Sequence, residues 1–288
     1  MNPNSGRGKG EVIGVRVARY LRSHGLRVDV AMGRDKDQGL AIAHNAVKNG
    51  TDALVTVGGD GLVHLGLQAT AKTNTPIGII PCGGGNDIAR TLGIPLRKPL
   101  AAADLIAKGR SRKIDLGRAG DRWFAGVMAT GFDSRVNDRA NRSRILKRRW
   151  RYDAAMVAEL GVFRPISYDI TVDGKSWSTD AMLVAVANGP SYGGGMHIVP
   201  DADLTDGLFD VMIVKPISKA KFLTVFPRVY RGSHTKLPYV EIVQGAKVEV
   251  SAKDVTAYVD GEELGPLPQT MESIPSAVNI FAPRPRHI

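Results

Sequence analysis

Three glycine-rich segments are candidates for contact with a phosphate group. They read NPNSGRGKG at residues 2–10, GGDG at residues 58–61 and PCGGGND at residues 81–87. Glycine has no side chain, so its backbone can approach a ligand closely, and the N–H groups at the start of a helix attract anions. None of the three matches the Walker pattern or the dinucleotide-binding pattern. One such loop alone is often only a tight turn, but three together predict a nucleotide site.

Aspartates lie inside or shortly after these loops, where a carboxylate would repel a phosphate. Asp60 lies within GGDG, Asp87 ends GGGND, and Asp115 follows in IDLG. A magnesium ion would remove the repulsion, because magnesium takes one or two carboxylates together with phosphate oxygens. Asp60 is therefore a candidate magnesium partner. Aspartate is also a good helix cap, so Asp60 and Asp87 have a second, structural interpretation that is compatible with the first.

The first 115 residues alternate between strand-like and helix-like patterns. The predicted strands are LRVDVAM at 26–32, TDALVTV at 51–57 and PIGIIPC at 76–82. Strands alternating with helices indicate a parallel sheet, and ligands of such sheets bind beyond the carboxyl ends of the strands. GGDG and GGGND both fall at such ends. The sequence opens on a loop rather than on the usual first strand, so we expect one poorly paired sheet edge.

After residue 115, short strands between turn residues predominate, with helices predicted only near 152–160 and 219–230. We therefore predict two domains. Residues 1–115 would form an α/β nucleotide-binding domain with three layers and a mostly parallel sheet. Residues 116–288 would form a β-rich sandwich domain.

Composition narrows the class of protein. Hydrophobic residues make up 43% of the 288 residues, which is enough for a buried core. Cys82 is the one cysteine, so an internal disulfide and a zinc site built on several thiolates are excluded. A single cysteine favours a reducing compartment such as the cytoplasm. No segment has the length and apolar character of a signal peptide or a membrane span.

The net charge of +11 favours anionic partners. The stretch Arg142–Arg151, RSRILKRRWR, interleaves its cations with Ile145, Leu146 and Trp150, as a contact with an anionic membrane surface would. A solvated helix face is the alternative. No nucleic-acid-binding motif is present in the sequence, so nucleic acid is the weaker choice of partner.

Six motifs occur in a fixed order along nearly the whole chain: NPNSG, GGDG, GGGND, IDLG, ANGPSYGGGMHIVPDADLTDGLFDV and VDGEELGPLP. In this order they resemble the diacylglycerol kinase catalytic-domain family, which includes bacterial soluble lipid kinases and also sphingosine and ceramide kinases. The resemblance implies an N-terminal domain like that of ATP-NAD kinases and phosphofructokinases, followed by a β-rich domain. It also implies that ATP binds between the two.

The resemblance assigns roles to particular residues. Glu262 of VDGEE corresponds to the family's general base, with Asp60 as a second catalytic residue. Nucleotide contacts fall on the three glycine loops, at Asn2, Ser5, Gly6, Gly58, Gly59, Asp60, Gly61, Leu62, Gly83, Gly84, Gly85, Asn86 and Asp87. A structural magnesium maps to Asp203, Asp206 and the carbonyl of Leu208, with Asp60, Asp87 and Asp115 joined through waters.

Some of these segments have simpler interpretations. VDGEE is also a strong hairpin-turn signal, and DLTDGL could be a plain acidic turn, although its oxygens suit magnesium. SYGGGMHIVP, at 191–200, is either a flexible loop near the lipid or a turn between strands. The chain departs from the family where Leu62 and Gly84 replace threonines, and where Met32 and Gly33 lie near a third. Backbone N–H groups would then carry phosphate recognition.

The expected function is an ATP- and magnesium-dependent lipid kinase that converts diacylglycerol to phosphatidic acid. A sphingoid base, ceramide or phosphatidylglycerol is the alternative acceptor, and a non-catalytic nucleotide- or lipid-binding relative is the alternative class. We expect a cytoplasmic protein that binds an anionic membrane peripherally. The resemblance also allows a homodimer.

Overall fold

The computed structural model describes residues 1–2, 5–132, 134, 136 and 163–284. Helices and strands alternate in its first part, as the sequence predicted. The helices are α1 (Ser5–Gly8), α2 (Gly10–Ser23), α3 (Lys36–Lys48), α4 (Asp60–Thr70), α5 (Asp87–Thr91) and α6 (Pro99–Ala107). The strands among them are β1 (Leu54–Gly58) and β2 (Ile77–Pro81).

Strands β1 and β2 are parallel neighbours, in register from Leu54 opposite Ile77 to Gly58 opposite Pro81. Helix α2 packs on α6 and α3 packs on α4, and all four helices contact these two strands. The buried side chains of α2, α4, α6 and the two strands form one core. Because the two strands are parallel and in register, the loops that follow them lie side by side.

Residues 26–32, which the sequence predicted as a strand, have no regular secondary structure. The ammonium of Met1 donates to the carbonyl of Ala31 at 2.8 Å, and the N–H of Asn2 donates to the carbonyl of Val57 at 3.1 Å. The first two residues thus lie between this segment and β1. Two residues cannot supply the ladder of backbone bonds that a strand needs, so the strand prediction was wrong.

Strands predominate in the second part. They are β3 (Ser111–Ala119), β4 (Arg122–Phe124), β5 (Val127–Ala129), β6 (Ile166–Val172), β7 (Lys175–Ala181), β8 (Leu183–Ala187), β9 (Ser191–Tyr192), β10 (Met196–His197), β11 (Phe209–Val214), β12 (Val240–Gly245), β13 (Lys247–Ser251), β14 (Thr256–Val259), β15 (Glu262–Pro266) and β16 (Gln269–Phe281). Helix α7 (Lys219–Val229) confirms the helix predicted near 219–230, and a 3₁₀-helix follows at Ser233–Lys236. The helix predicted near 152–160 and the basic stretch Arg142–Arg151 lie outside the described residues.

Two sheets pack face to face as the predicted sandwich. One has the order β12-β11-β8-β5-β14-β15. The other has the order β1-β2-β16-β13-β6-β7, with β3 pairing with β16 and β4 pairing with β3. Ile170 and Val248 of the second sheet share a core with Phe209 of the first. Ile280 of β16 pairs with Ile77 of β2 in parallel, while β16 runs antiparallel to β3. The second sheet is therefore mixed and runs through both parts of the chain. The boundary at 115–116, which falls inside β3, stays a prediction.

Candidate active site

The GGDG and GGGND loops follow β1 and β2 and touch each other. A Cβ on Gly59 would lie 3.1 Å from the Cα of Gly83, and a Cβ on Gly83 would overlap the Cα of Gly59. The two backbones are thus in direct contact, at a distance that leaves no room for a side chain on Gly83 and little room for one on Gly59. We call residues 58–61 and 83–87 together the glycine floor.

Asp60 links the two loops of the glycine floor. Its Oδ2 accepts a hydrogen bond from the N–H of Asn86 at 2.6 Å, and its Oδ1 accepts one from the N–H of Asp87 at 2.7 Å. Asp60 therefore caps α5 from the neighbouring loop. Helix α4 has Gly59 at its own N-cap and no side-chain cap. Of the two helix starts, the one at α4 is the better placed to face a phosphate.

Asn86 fixes the shape of the second loop. Its backbone is left-handed, with φ of 57°, a conformation that asparagine tolerates better than most residues. Its Oδ1 accepts from the N–H of Gly83 and its Nδ2 donates to the carbonyl of Gly83, both at 2.9 Å. A Cβ on Gly84 would meet no atom within 4 Å. A hydroxyl side chain is therefore absent at Gly84 although the space for it exists.

Leu62 occupies the other position where the family has a threonine. A Cβ on Gly58 would lie 2.8 Å from Cδ2 of Leu62, so this side chain covers the end of β1. The first glycine loop also meets this end, because the N–H of Asn2 reaches Val57 and the N–H of Ser5 donates to the carbonyl of Asn2 at 3.2 Å. Gly6 follows within α1.

Asp87 is the buried carboxylate of the glycine floor. Its Oδ2 accepts from the N–H of Gly194 at 2.7 Å, while its Oδ1 is buried without a hydrogen-bond partner. Burial raises the pKa of Asp87 and the nearby carboxylate of Asp60 adds to the rise, whereas the N–H groups of Gly194 and Gly195 oppose it. Nε of Arg90 lies 3.9 Å from this Oδ1 and also opposes the rise. A buried carboxylate oxygen without a hydrogen bond, beside a second carboxylate, fits a divalent cation.

Glu262 projects from the β-rich part onto the glycine floor. Asp260 and Gly261 have φ of 50° and 83°, which is the tight two-residue hairpin turn that D-G favours, and Val259 pairs with Glu262 across it. The hairpin interpretation of VDGEE is therefore correct, and the turn is what aims the glutamate. A Cβ on Gly61 would lie 3.4 Å from Oε1 of Glu262.

The hairpin is anchored by Asp260. Its Oδ1 accepts from the N–H of Gly126 at 2.9 Å and its Oδ2 from the N–H of Ala125 at 3.2 Å. Nδ1 of His64 in α4 lies 3.4 Å from the same Oδ2. Asp260 is 4% exposed and His64 10% exposed at their side chains, so this buried pair ties the hairpin to α4. The position of Glu262 relative to Gly61 follows from that connection.

The DLTDGL turn is held by its own backbone. Asp203 accepts from the N–H of Thr205 and Asp206 from the N–H of Leu208, both at 2.9 Å. Asp115 accepts from the N–H of Gly207 at 2.7 Å. Asp115 thus joins this turn.

Hydrogen bonds among the described residues do not connect the DLTDGL turn or Asp115 with Asp60 or Asp87. Among the described residues, no group of three or more His, Cys, Asp or Glu side chains lies close enough together to hold a metal ion.

Sequence reasoning missed two contributors to the site. The hairpin of β9 and β10 places Gly194 on Asp87, so the SYGGGMHIVP segment is a turn between strands that also reaches the glycine floor. Its run of three glycines was the available signal. Lys36, the first residue of α3, forms an ion pair with Glu262. A lysine near the start of a helix gives no such signal.

Two family models divide the chain. The diacylglycerol kinase catalytic domain family matches residues 1–119. The family described as the YegS C-terminal NAD kinase beta sandwich-like domain matches residues 126–282. The fold and the matches together define a kinase with an α/β first domain and a β-sandwich second domain.

Two named relatives match most of the chain. A diacylglycerol kinase of Mycobacterium tuberculosis is 40% identical over 99% of this chain and 94% of its own length. A diacylglycerol kinase of Bacillus subtilis is 30% identical over 81% of this chain and 78% of its own length. The chain belongs to the diacylglycerol kinase family, as the order of its motifs predicted. Membership supports a lipid kinase that transfers phosphate to an alcohol group.

Solved structures confirm the predicted fold. A diacylglycerol kinase from Bacillus anthracis aligns with a TM-score of 0.76 at 20% identity, covering 98% of this chain and 95% of that one. An NAD kinase from Archaeoglobus fulgidus, solved in complex with ATP, aligns with a TM-score of 0.54 at 15% identity over 98% and 92% of the two chains. None of the helices in the described ranges is both long and apolar enough to cross a membrane.

Proposed function

We propose that this protein transfers the γ-phosphate of ATP to the hydroxyl of diacylglycerol and so produces phosphatidic acid. The observation that carries the proposal is the position of Glu262, whose carboxylate lies over Gly61 of the glycine floor. A carboxylate supplied by the β-rich part thus faces the loops suited to phosphate. The ATP complex of the structurally similar NAD kinase supports the choice of nucleotide.

The nucleotide would lie along the glycine floor and the start of α4. Gly61 is exposed and Gly59 partly exposed there, and the N-terminus of α4 has no side-chain cap, so its N–H groups favour a phosphate. The second loop would contribute Gly83, Gly84 and Gly85, and the first loop Asn2, Ser5 and Gly6. With Leu62 in place of a hydroxyl residue, recognition would rest on backbone N–H groups.

Glu262 would act as the general base. It accepts the proton of the lipid hydroxyl while that oxygen attacks the γ-phosphorus, and the bond from this phosphorus to the departing ADP breaks. A well-positioned base accelerates such a step by about 10²–10⁴-fold. The remaining acceleration comes from holding the two reactants in line and from neutralising charge. The anchoring of the hairpin through Asp260 serves the first purpose.

Magnesium is the proposed metal. Asp87, whose Oδ1 accepts no hydrogen bond, and Asp60 would hold it at the phosphates, where it would neutralise charge on the nucleotide. Asp203, Asp206 and the carbonyl of Leu208 are the proposed holders of a structural magnesium, which Asp60, Asp87 and Asp115 would join through waters. Asp60 also has a structural role, because its carboxylate holds two N–H groups of the second loop in place.

We place the enzyme at the cytoplasmic surface of an anionic membrane, bound peripherally. The charge of +11 and the stretch Arg142–Arg151 support this placement. Changing Arg144, Lys147, Arg148 and Arg149 to Gln should reduce pelleting with anionic vesicles. The same charge change at Lys48, Lys175, Lys236 and Lys253 should reduce it less. Equal pelleting of the two variants would overturn the assignment to this stretch.

Phosphate transfer from radiolabelled ATP tests the function itself. Dioleoylglycerol, sphingosine, ceramide and phosphatidylglycerol are offered separately in mixed micelles with magnesium. We expect label in phosphatidic acid for the wild type and almost none for Glu262→Gln. Preferred labelling of another lipid would reassign the acceptor. Absence of label from every lipid, with retained ATP binding, would indicate a binding protein instead.

A further inference from the structure

The proposed base Glu262 already has a partner, the ammonium of Lys36. The two residues are 226 positions apart in the chain, so the contact joins the α/β part to the β-rich part. Lys36 is held at the start of α3 because Oδ1 of Asp35 caps this helix by accepting from the N–H of Gln38 at 2.8 Å. The backbone before the helix is tight as well, since a Cβ on Gly33 would lie 2.7 Å from the N atom of Gly39.

The ion pair between Lys36 and Glu262 is exposed, so it adds little to the stability of the fold and can be broken easily. The side chain of Lys36 is 74% exposed and that of Glu262 29% exposed, and exposed ion pairs are weak because water competes with them. The other oxygen of Glu262 lies over Gly61. The ammonium of Lys36 therefore lies next to the loop on which the phosphates would bind.

We propose that Lys36 is a nucleotide-sensing residue, which exchanges its ion pair with Glu262 for the terminal phosphate when ATP binds. The proposal rests on the function proposed above. A terminal phosphate carries more negative charge than a carboxylate and attracts the ammonium more strongly. Its arrival releases the oxygen of Glu262 for the acceptor hydroxyl. Lys36 also supplies a donor in a site where Leu62 and Gly84 offer no hydroxyl.

Nucleotide affinity measures this exchange without any turnover. ATP, ADP and AMP displace a fluorescent nucleotide from the wild type, Lys36→Gln, Lys36→Arg and the control Lys48→Gln, whose lysine is exposed at the other end of the same helix. We expect Lys36→Gln to weaken ATP binding by about tenfold and ADP binding much less, as the loss of one charged phosphate contact should. Lys36→Arg should restore most of the affinity, and Lys48→Gln should match the wild type.

Glu262→Gln supplies the second readout. It removes the competing carboxylate, so ATP should bind this variant a few-fold more tightly than the wild type, and Lys36→Gln in that background should still lose about tenfold. Unchanged ATP affinity in Glu262→Gln, or equal losses for ATP and ADP in Lys36→Gln, would overturn the proposal. If those results came with normal lipid phosphorylation, the kinase function would stand and only the role of Lys36 would fall. A wild type that neither binds ATP nor labels a lipid would overturn both.

Discussion

The glycine floor is fixed by hydrogen bonds between side chains and backbone, whereas Glu262 lies over it with its carboxylate in a partly exposed ion pair with Lys36. On the floor, Asp60 binds two amides of the neighbouring loop, and Asn86 makes two bonds to Gly83. Above it, the carboxylate of Glu262 is held by Lys36, whose side chain is largely in solvent. The difference indicates a floor that is organised before the nucleotide arrives and a base whose partner can change. Preorganised donors cost no rearrangement during the reaction.

The largest expected effect is on the side of the base. Glu262→Gln should lower kcat by about 10²–10⁴-fold, because the amide cannot accept the hydroxyl proton. Folding should be unchanged, since Glu262 is not part of a core. Steady-state phosphate transfer to the preferred lipid measures the effect.

Glu263→Gln is the matched control for that change. Glu263 is the next residue of the same strand and its side chain is exposed. We expect near-wild-type kcat for this variant. Similar rates for the two variants would mean that Glu262 is not the base. The comparison of a fixed glycine floor with a base that changes partner would then no longer hold.

A substitution in the glycine floor should lower the free energy of unfolding. Gly83→Ala places a methyl group against the backbone of Gly59, and overpacking of this kind costs about 1–3 kcal/mol. Urea unfolding followed by circular dichroism gives the free energy of unfolding. We also expect weaker ATP binding, because the two loops would have to separate.

Gly84→Ala is the neighbouring control, since its new Cβ meets nothing within 4 Å. Its free energy of unfolding should stay within about 0.5 kcal/mol of the wild type. Equal destabilisation by the two substitutions would show that the loops do not touch as described. Both losses of stability would then be explained by replacing a flexible glycine, and not by a contact between the loops.

The smallest expected effect concerns the pH dependence of Asp87. Burial raises the pKa of this carboxyl above its ordinary value in the folded protein, so the folded state holds its proton more tightly than the unfolded state. The ionised carboxylate therefore costs stability at neutral pH, and this cost disappears as the pH falls below the unfolded pKa. Asp87→Asn should be slightly more stable than the wild type at pH 7, and the difference should shrink toward pH 4.

Thermal unfolding at several pH values, with and without magnesium and ADP, measures this balance. Added magnesium and ADP should stabilise the wild type more than Asp87→Asn, because the substitution removes a proposed metal ligand. A lower stability of Asp87→Asn at pH 7 would contradict the burial argument. Equal stabilisation of both proteins by magnesium and ADP would contradict the assignment of Asp87 to the metal.

Much of this arrangement could be predicted from sequence because its signals are local. The glycine loops follow apolar strands directly, so their place at the ends of β1 and β2 could be derived. The D-G dipeptide before Glu262 likewise predicted the hairpin turn that the structure contains. The strand expected at 26–32 failed because strand formation depends on a neighbour, and its own residues carry no information about that neighbour.

The remaining features depend on contacts between distant residues. That Asp60 caps the helix of the other loop, rather than its own, follows from the parallel register of β1 and β2. Gly194 reaches Asp87 across 107 positions and Lys36 reaches Glu262 across 226. No periodicity or motif spacing records such pairs, which the packing of the two parts determines.

The central claim is that a carboxylate of the β-rich part meets the acceptor hydroxyl above phosphates bound on the glycine floor. A crystal structure of Glu262→Gln with a non-hydrolysable ATP analogue, magnesium and a short-chain diacylglycerol tests it most directly. We predict the terminal phosphate at Gly61, with the lipid hydroxyl within about 2.6–3.2 Å of the side chain at position 262. A nucleotide bound away from residues 58–61, or a hydroxyl held by another carboxylate, would contradict the account.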